Sequence, residues 1–184
     1  MTDEAALVLV VDDNEMNRDM LSRRLKRQNY EVLMAEDGEK ALEMIAAHPF
    51  DLVLLDIMMP RVSGYEVLER VKKDERTRSL PVIMISAVDD LESVVKCIEM
   101  GAEDYLFKPF NPVLLKARVS ASLEKNRLRK DSLQSAAPHI RALQTEVDAL
   151  RATGLDAAAA AAVERLQSHV TALLTMLDQP HNQG

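Results

Sequence analysis

Short apolar runs without a single polar residue, each closed by an acid or a hydroxyl, constrain this chain more than any other feature. Leu7–Val11 (LVLVV) runs into Asp12 and Asp13, Leu52–Leu55 (LVLL) into Asp56, and Pro81–Ile85 (PVIMI) into Ser86. A strand wetted on one face alternates apolar and polar residues. A run with no alternation reads as a strand covered on both faces, as in parallel sheets. Tyr30–Ala35 and Asp104–Phe107 are weaker candidates of the same kind. Between the runs lie helical patterns. Met16, Met20, Leu21 and Leu25 share one face, as do Ala41, Leu42, Ile45 and Ala46, and then Val67, Leu68 and Val71. Asp37-Gly38 precedes the second of these helices and His48-Pro49 stops it, because proline disfavours helix at the residue before it. Pro60 and Gly64 bracket a loop. Asp90 can cap a fourth helix that Gly101 closes in the left-handed region. A fifth opens near Asn111-Pro112, where proline suits the first turn. Strand and helix alternate, which predicts a parallel sheet with right-handed crossovers. The expected fold is α/β: a flavodoxin-like, doubly wound, five-stranded sheet of order 2-1-3-4-5.

That order makes strands 1 and 3 neighbours at the switch point, so Asp12, Asp13 and Asp56 converge at their carboxyl ends. Three carboxylates at close range repel one another unless a cation lies among them, and hard oxygen donors with partial solvation suit Mg²⁺. Ser86, after strand 4, and Lys108, after strand 5, add a hydroxyl and an ammonium. Such a set suits holding a phosphoryl group, with Asp56 as the nucleophile. Each residue also has an ordinary reading: turn acid, helix cap, strand-end hydroxyl, solvated lysine. Their joint occurrence at the ends of four strands of one repeat favours the chemical reading.

The motifs VVDDN (10–14), LLDIMMP (54–60) with Gly64, ISA (85–87) and YLFKPF (105–110) resemble the receiver domain of two-component response regulators. The resemblance covers residues 5–125. It implies Asp56 as phosphoacceptor, with Asp12, Asp13, Asp56 and the Met58 backbone carbonyl around Mg²⁺. It further implies Ser86 as a switch hydroxyl, Lys108 as the family's lysine, and Tyr105 as an aromatic that turns inward. A cis Lys108-Pro109 bond belongs to the same pattern. The implied donor is a sensor histidine kinase or phosphotransfer protein, and the helix 4–strand 5–helix 5 face, from Asp90 to about Leu123, is the implied output surface. The receiver is not expected to catalyse anything beyond its own phosphorylation and dephosphorylation.

Residues 126–184 read as a helical extension, and the helices are expected at about 111–135, 138–153 and 157–178, with a kink or restart at Pro138. Ile140, Leu143, Val147 and Leu150 repeat at heptad-like spacing, as do Val163, Leu166, Val170, Leu173 and Leu177. Thr153-Gly154 reads as a helix end, Asp156 as a cap, and the tail from Pro180 as frayed. A short hairpin buries little by itself, so a homodimeric four-helix bundle or a partner-binding module is expected. His139, His169 and His181 read as surface histidines. Residues 116–130 hold six bases against one acid, but residues 131–184 hold three arginines and no lysine against six acids. With a net charge of −7, this disfavours nucleic acid as a partner. The alternative output is a receiver-controlled enzyme (cyclase, phosphatase or diguanylate cyclase) of which this chain is the regulatory front; a DNA-binding regulator ranks below it. Cys97, the one cysteine, excludes a disulfide framework and reads as a core filler. No run of 18 apolar residues exists and no signal peptide is apparent, so a cytoplasmic protein without a membrane segment is expected.

Overall fold

The computed structural model describes residues 5–87, 91–152 and 157–177. The expected cap at Asp90, the helix end at Thr153-Gly154, the cap at Asp156, and the tail with Pro180 and His181 lie outside the described residues. The chain divides into two compact units, Met1–Asn126 and Arg127–Gly184.

The first unit alternates strand and helix: β1 (Leu7–Val11), α1 (Glu15–Lys26), β2 (Glu31–Ala35), α2 (Gly38–Ala47), β3 (Leu52–Asp56), α3 (Gly64–Lys73), β4 (Val82–Ser86), α4 (Leu91–Glu99), β5 (Asp104–Phe107) and the start of α5 (Pro112–Ala152). The strands form one sheet in the order β2-β1-β3-β4-β5, and every pairing is parallel. The apolar runs follow from this order, because helices cover both faces. Val8, Val10, Leu52, Leu54, Ile83, Ile85 and Leu106 pack with Leu21 and Leu25 of α1 and Leu115, Val119 and Leu123 of α5. Leu9, Val11, Val53, Leu55, Val82 and Met84 point the other way, against Ala41 and Ile45 of α2, Val67, Leu68 and Val71 of α3, and Cys97 of α4. Each such side chain contributes about 1.5–3 kcal/mol by leaving water. Edge strand β2 departs from the pattern, with Glu31 and Met34 exposed and Val32 and Ala35 buried.

The helices of this unit start where the chain supplies a cap. Asn14 accepts from the Asn17 amide and Asp37 from the Lys40 amide. Ser63 and Glu66 form a reciprocal capping box at α3. After α4 the chain turns at Gly101, whose φ of +94° only glycine adopts without strain.

The helix does not end and restart at Pro138. α5 is one helix of 41 residues, Pro112–Ala152, with Pro138 inside it. Proline removes one intrahelical hydrogen bond and crowds the preceding turn. Here that turn ends in Ala136 and Ala137, strong helix formers with little bulk, and Ile140 is buried two residues beyond the proline. Propensity on one side and burial on the other outweigh a single defect.

In the second unit α5 continues from Arg127 and α6 spans Ala157–Leu177. Ile140 and Val147 are buried on α5, and Val163 and Val170 on α6. The Gln167 amide donates to Asp148 Oδ1 at 3.3 Å, tying the two helices side by side. His139 and His169 are exposed. Within the basic stretch Arg118 pairs with Asp104, Lys125 with Glu103, and Arg127 with Asp131. Among the described residues no helix is long and apolar enough to cross a membrane.

Candidate functional site: an acidic cluster bridged by a lysine

β1 and β3 are adjacent, with Val11 opposite Leu55, so the residues after both strands emerge together at the carboxyl edge of the sheet. Asp12, Asp13 and Asp56 each offer a carboxylate oxygen there, all within 4.8 Å of one another. Asp12 and Asp56 are buried, whereas Asp13 is exposed. Hard oxygen donors, one of them open to water, are the kind of set that Mg²⁺ takes while keeping part of its hydration. The expected fourth ligand lies two residues past Asp56, in Met58. Its N–H makes a long contact with Asp56 Oδ1, at 3.4 Å.

Lys108 closes the cluster. Its Nζ donates to Asp12 Oδ2 at 2.6 Å and to Asp56 Oδ2 at 2.8 Å. Its position is fixed by its own backbone, whose N–H donates to the Ser86 carbonyl at 2.7 Å, and the Lys108-Pro109 bond that follows is cis. Burial pushes the Asp56 carboxyl above the usual carboxylate range; the hydrogen bond and charge of Lys108 oppose that without cancelling it. Burial alone pulls the Lys108 ammonium down, but its bonds to Asp12 and Asp56 prevail and hold it above the ordinary lysine value.

Ser86 is fully buried at the end of β4, one position beyond Ile85, the register partner of Asp56. Tyr105, on β5, is buried, and its ring lies 5.0 Å from that of the exposed Phe107. The structure therefore brings Asp12, Asp13, Asp56 and Lys108 together, with Ser86 on the strand beside Asp56 and Tyr105 one strand further.

Some supporting contacts escape sequence reading. Asn17 Nδ2 reaches both Asp12 oxygens, at 3.1 and 3.2 Å, and the Asn14 amide donates to Asp12 Oδ1 at 2.9 Å. Arg18 Nη1 donates to the Asp12 carbonyl at 2.7 Å. The signal was present: two asparagines and an arginine in the first turn after a strand-end acid. Gly64 packs on the backbone of the site, since a Cβ there would come within 2.2 Å of the Asp56 carbonyl oxygen. Arg61, at φ 66°, pairs with Asp37, the cap of α2, and so anchors the loop between β3 and α3.

Comparison with known proteins converges on one family. The model for the response regulator receiver domain matches residues 8–120, more than half of the chain. The response regulator PleD of Caulobacter vibrioides is 42% identical over 130 residues, which is 71% of this chain and 28% of that protein. A Vibrio cholerae protein named "Probable cyclic di-GMP phosphodiesterase" is 42% identical over 147 residues, 80% of this chain and 32% of that one. The chain thus spans about a third or less of the length of these two curated relatives. Among solved structures, a CheY-like response regulator receiver domain protein of Methanospirillum hungatei superposes with a TM-score of 0.64 at 30% identity, covering 68% of this chain and 98% of that one. The sheet order, the acids gathered at its carboxyl edge and the extent of the receiver match agree: this chain belongs to the response regulator receiver family.

Proposed function

We propose that this chain is a phosphorylation switch of two-component signalling, in which Asp56 accepts a phosphoryl group from a sensor histidine kinase or a phosphotransfer protein. An Asp56 carboxylate oxygen attacks phosphorus. The phosphorus–nitrogen bond of the donor phosphohistidine breaks, its electron pair stays with the imidazole, and an acyl phosphate forms on Asp56. Asp12, Asp13, Asp56 and the Met58 carbonyl are the residues that would hold Mg²⁺; when bound, the ion supplies positive charge against the phosphoryl oxygens. Lys108, which bridges Asp12 and Asp56, transfers a hydrogen bond from Asp56 to the incoming group. The Ser86 hydroxyl donates another, and Tyr105 shifts into the space it leaves. A phosphoryl group brings roughly −1.5 to −2 charge units and three acceptor oxygens, enough to bias the α4–β5–α5 face between two arrangements.

The observation that carries this reading is the Lys108 bridge, at 2.6 Å to Asp12 and 2.8 Å to Asp56. It sets a cation beside the nucleophile at the carboxyl ends of neighbouring strands, where Asp13 is exposed. The α5–α6 unit is the proposed output, acting by dimerisation or by binding a protein partner. The second reading, a receiver-controlled enzyme, draws on the Vibrio cholerae match. Its 147 aligned residues exceed the whole first unit, so the likeness runs on into the helical extension. On that reading the helices connect the receiver to a catalytic domain, and the natural reading frame continues beyond residue 184. Residues 131–184, with six acids against three arginines, do not themselves offer a basic nucleic-acid reader.

The test is uptake of label from a small acyl phosphate donor with Mg²⁺. The full chain takes up one phosphoryl group, labile to hydroxylamine, and Asp56→Asn takes up none. Equal labelling of the two proteins overturns the assignment.

A further inference from the structure

The heptad spacing of the α5–α6 unit is used unevenly. Its β-branched positions, Ile140, Val147, Val163 and Val170, are buried. The leucines three residues further on stay about half exposed: Leu143 49%, Leu150 48%, Leu166 52% and Leu173 45%. At 3.6 residues per turn, Leu143 and Leu150 stand about 60° to one side of the Ile140–Val147 line, with Gln144 and Asp148 on the other side. On α6 the same offset separates Leu166 and Leu173 from Gln167. The Gln167–Asp148 hydrogen bond joins the two polar flanks on one side of the hairpin. The leucine flanks of both helices must then lie together on the opposite side. The hairpin has a polar face and a leucine face.

We propose that a second copy of this chain covers the leucine face, making an antiparallel four-helix bundle. This deepens, and rests on, the reading of the α5–α6 unit as the output module. Two considerations select a second copy. The first is charge. Beyond the leucines, α5 carries one acid, Glu146, one heptad after His139, whereas α6 carries Arg165 and His169, all exposed. A two-fold axis along the hairpin sets each α5 against the partner's α6. It then brings Glu146 to the Arg165–His169 edge twice, as an isologous interface requires. The second is area. Two helices of about 20 residues present a face roughly 30 Å long and 20 Å wide, and with side-chain relief this approaches the ~800 Å² per partner of a standard interface.

The test uses the full chain in light scattering at micromolar concentration. Wild type gives twice the chain mass. Leu150→Glu with Leu166→Glu gives the monomer or raises the dimer Kd by about thirtyfold or more, the loss a central interface side chain carries. Thr145→Glu, on the far side of α5, leaves the mass unchanged. Glu146→Arg weakens the dimer, and adding Arg165→Glu restores it. Circular dichroism establishes that each variant keeps its helices. A monomeric wild type, a double-leucine variant as dimeric as wild type, or a wild-type monomer that instead binds a different protein through these leucines overturns the proposal. Label uptake on Asp56, measured on the same samples, reports on the switch separately: a dimer that takes up no label fails there and not here.

Discussion

At the scale of single residues, the site is a contest between burial and pairing, and two predictions follow from its outcome. Asp56 has its folded-state pKa raised, chiefly by burial. Its contribution to stability is therefore fully present below the ordinary carboxylate value of about 3.9 and is lost as pH rises through the raised folded value. Ionised Asp56 costs stability near neutrality, and asparagine does not titrate. Without metal, the urea midpoint of Asp56→Asn should exceed that of wild type at pH 7, and the difference should shrink toward pH 4. Lys108 behaves oppositely. Its raised pKa supplies stability at every pH below the ordinary lysine value, lost only in alkali as pH passes the folded value. Lys108→Met should leave Asp12 and Asp56 facing each other without a cation, at a cost of about 3 kcal/mol. Millimolar Mg²⁺ should recover more of that loss in the variant than it adds to wild type, read as the shift of the urea midpoint with the metal.

At the scale of elements, what could be read from the sequence depended on how local the cause was. β1, β3 and β4 were legible because burial on both faces leaves no polar residue in the run. The acids after β1 and at the end of β3, and Ser86 at the end of β4, were legible because a strand end is a place that sequence marks. Lys108 was legible from its place after the last strand, Tyr105 only from resemblance, and the structure adds the Lys108 bridge across 96 and 52 residues of chain. No local pattern encodes the Arg61–Asp37 pair, which lies 24 residues apart and depends on two loops meeting. Pro138 misled for the converse reason. Proline ends many helices, but here its neighbours on both sides favour continuation. Proline still lowers the stability of a helix interior by about 3 kcal/mol relative to alanine. Pro138→Ala should therefore stabilise the α5–α6 unit, by an amount reduced to the extent that the helix already relaxes around the ring. Hydrogen exchange of the amides between Ile140 and Ala152 reads this directly, as slower exchange in the variant.

At the scale of the whole molecule, the last described residue in the two apolar clusters that sandwich the sheet is Leu123. Asn126, the last residue of the first unit, donates from Nδ2 to the Asp51 carbonyl at 3.0 Å. The described core of the receiver therefore lies within the first unit. A chain ended after Asn126 should unfold in one cooperative transition and take up label on Asp56 as the full chain does, while losing the dimer mass. Failure of that shorter chain to fold would mean that the helical unit supports the sheet and is more than an output.

The lysine bridge has one further consequence, for ion selectivity. Three carboxylates and one ammonium give the pocket a formal charge of −2. A single alkaline-earth ion supplies that deficit in one step, whereas sodium or potassium would have to enter as a crowded pair. Charge balance alone would then favour a divalent over a monovalent ion, and monovalent salt should screen the pocket without displacing that preference.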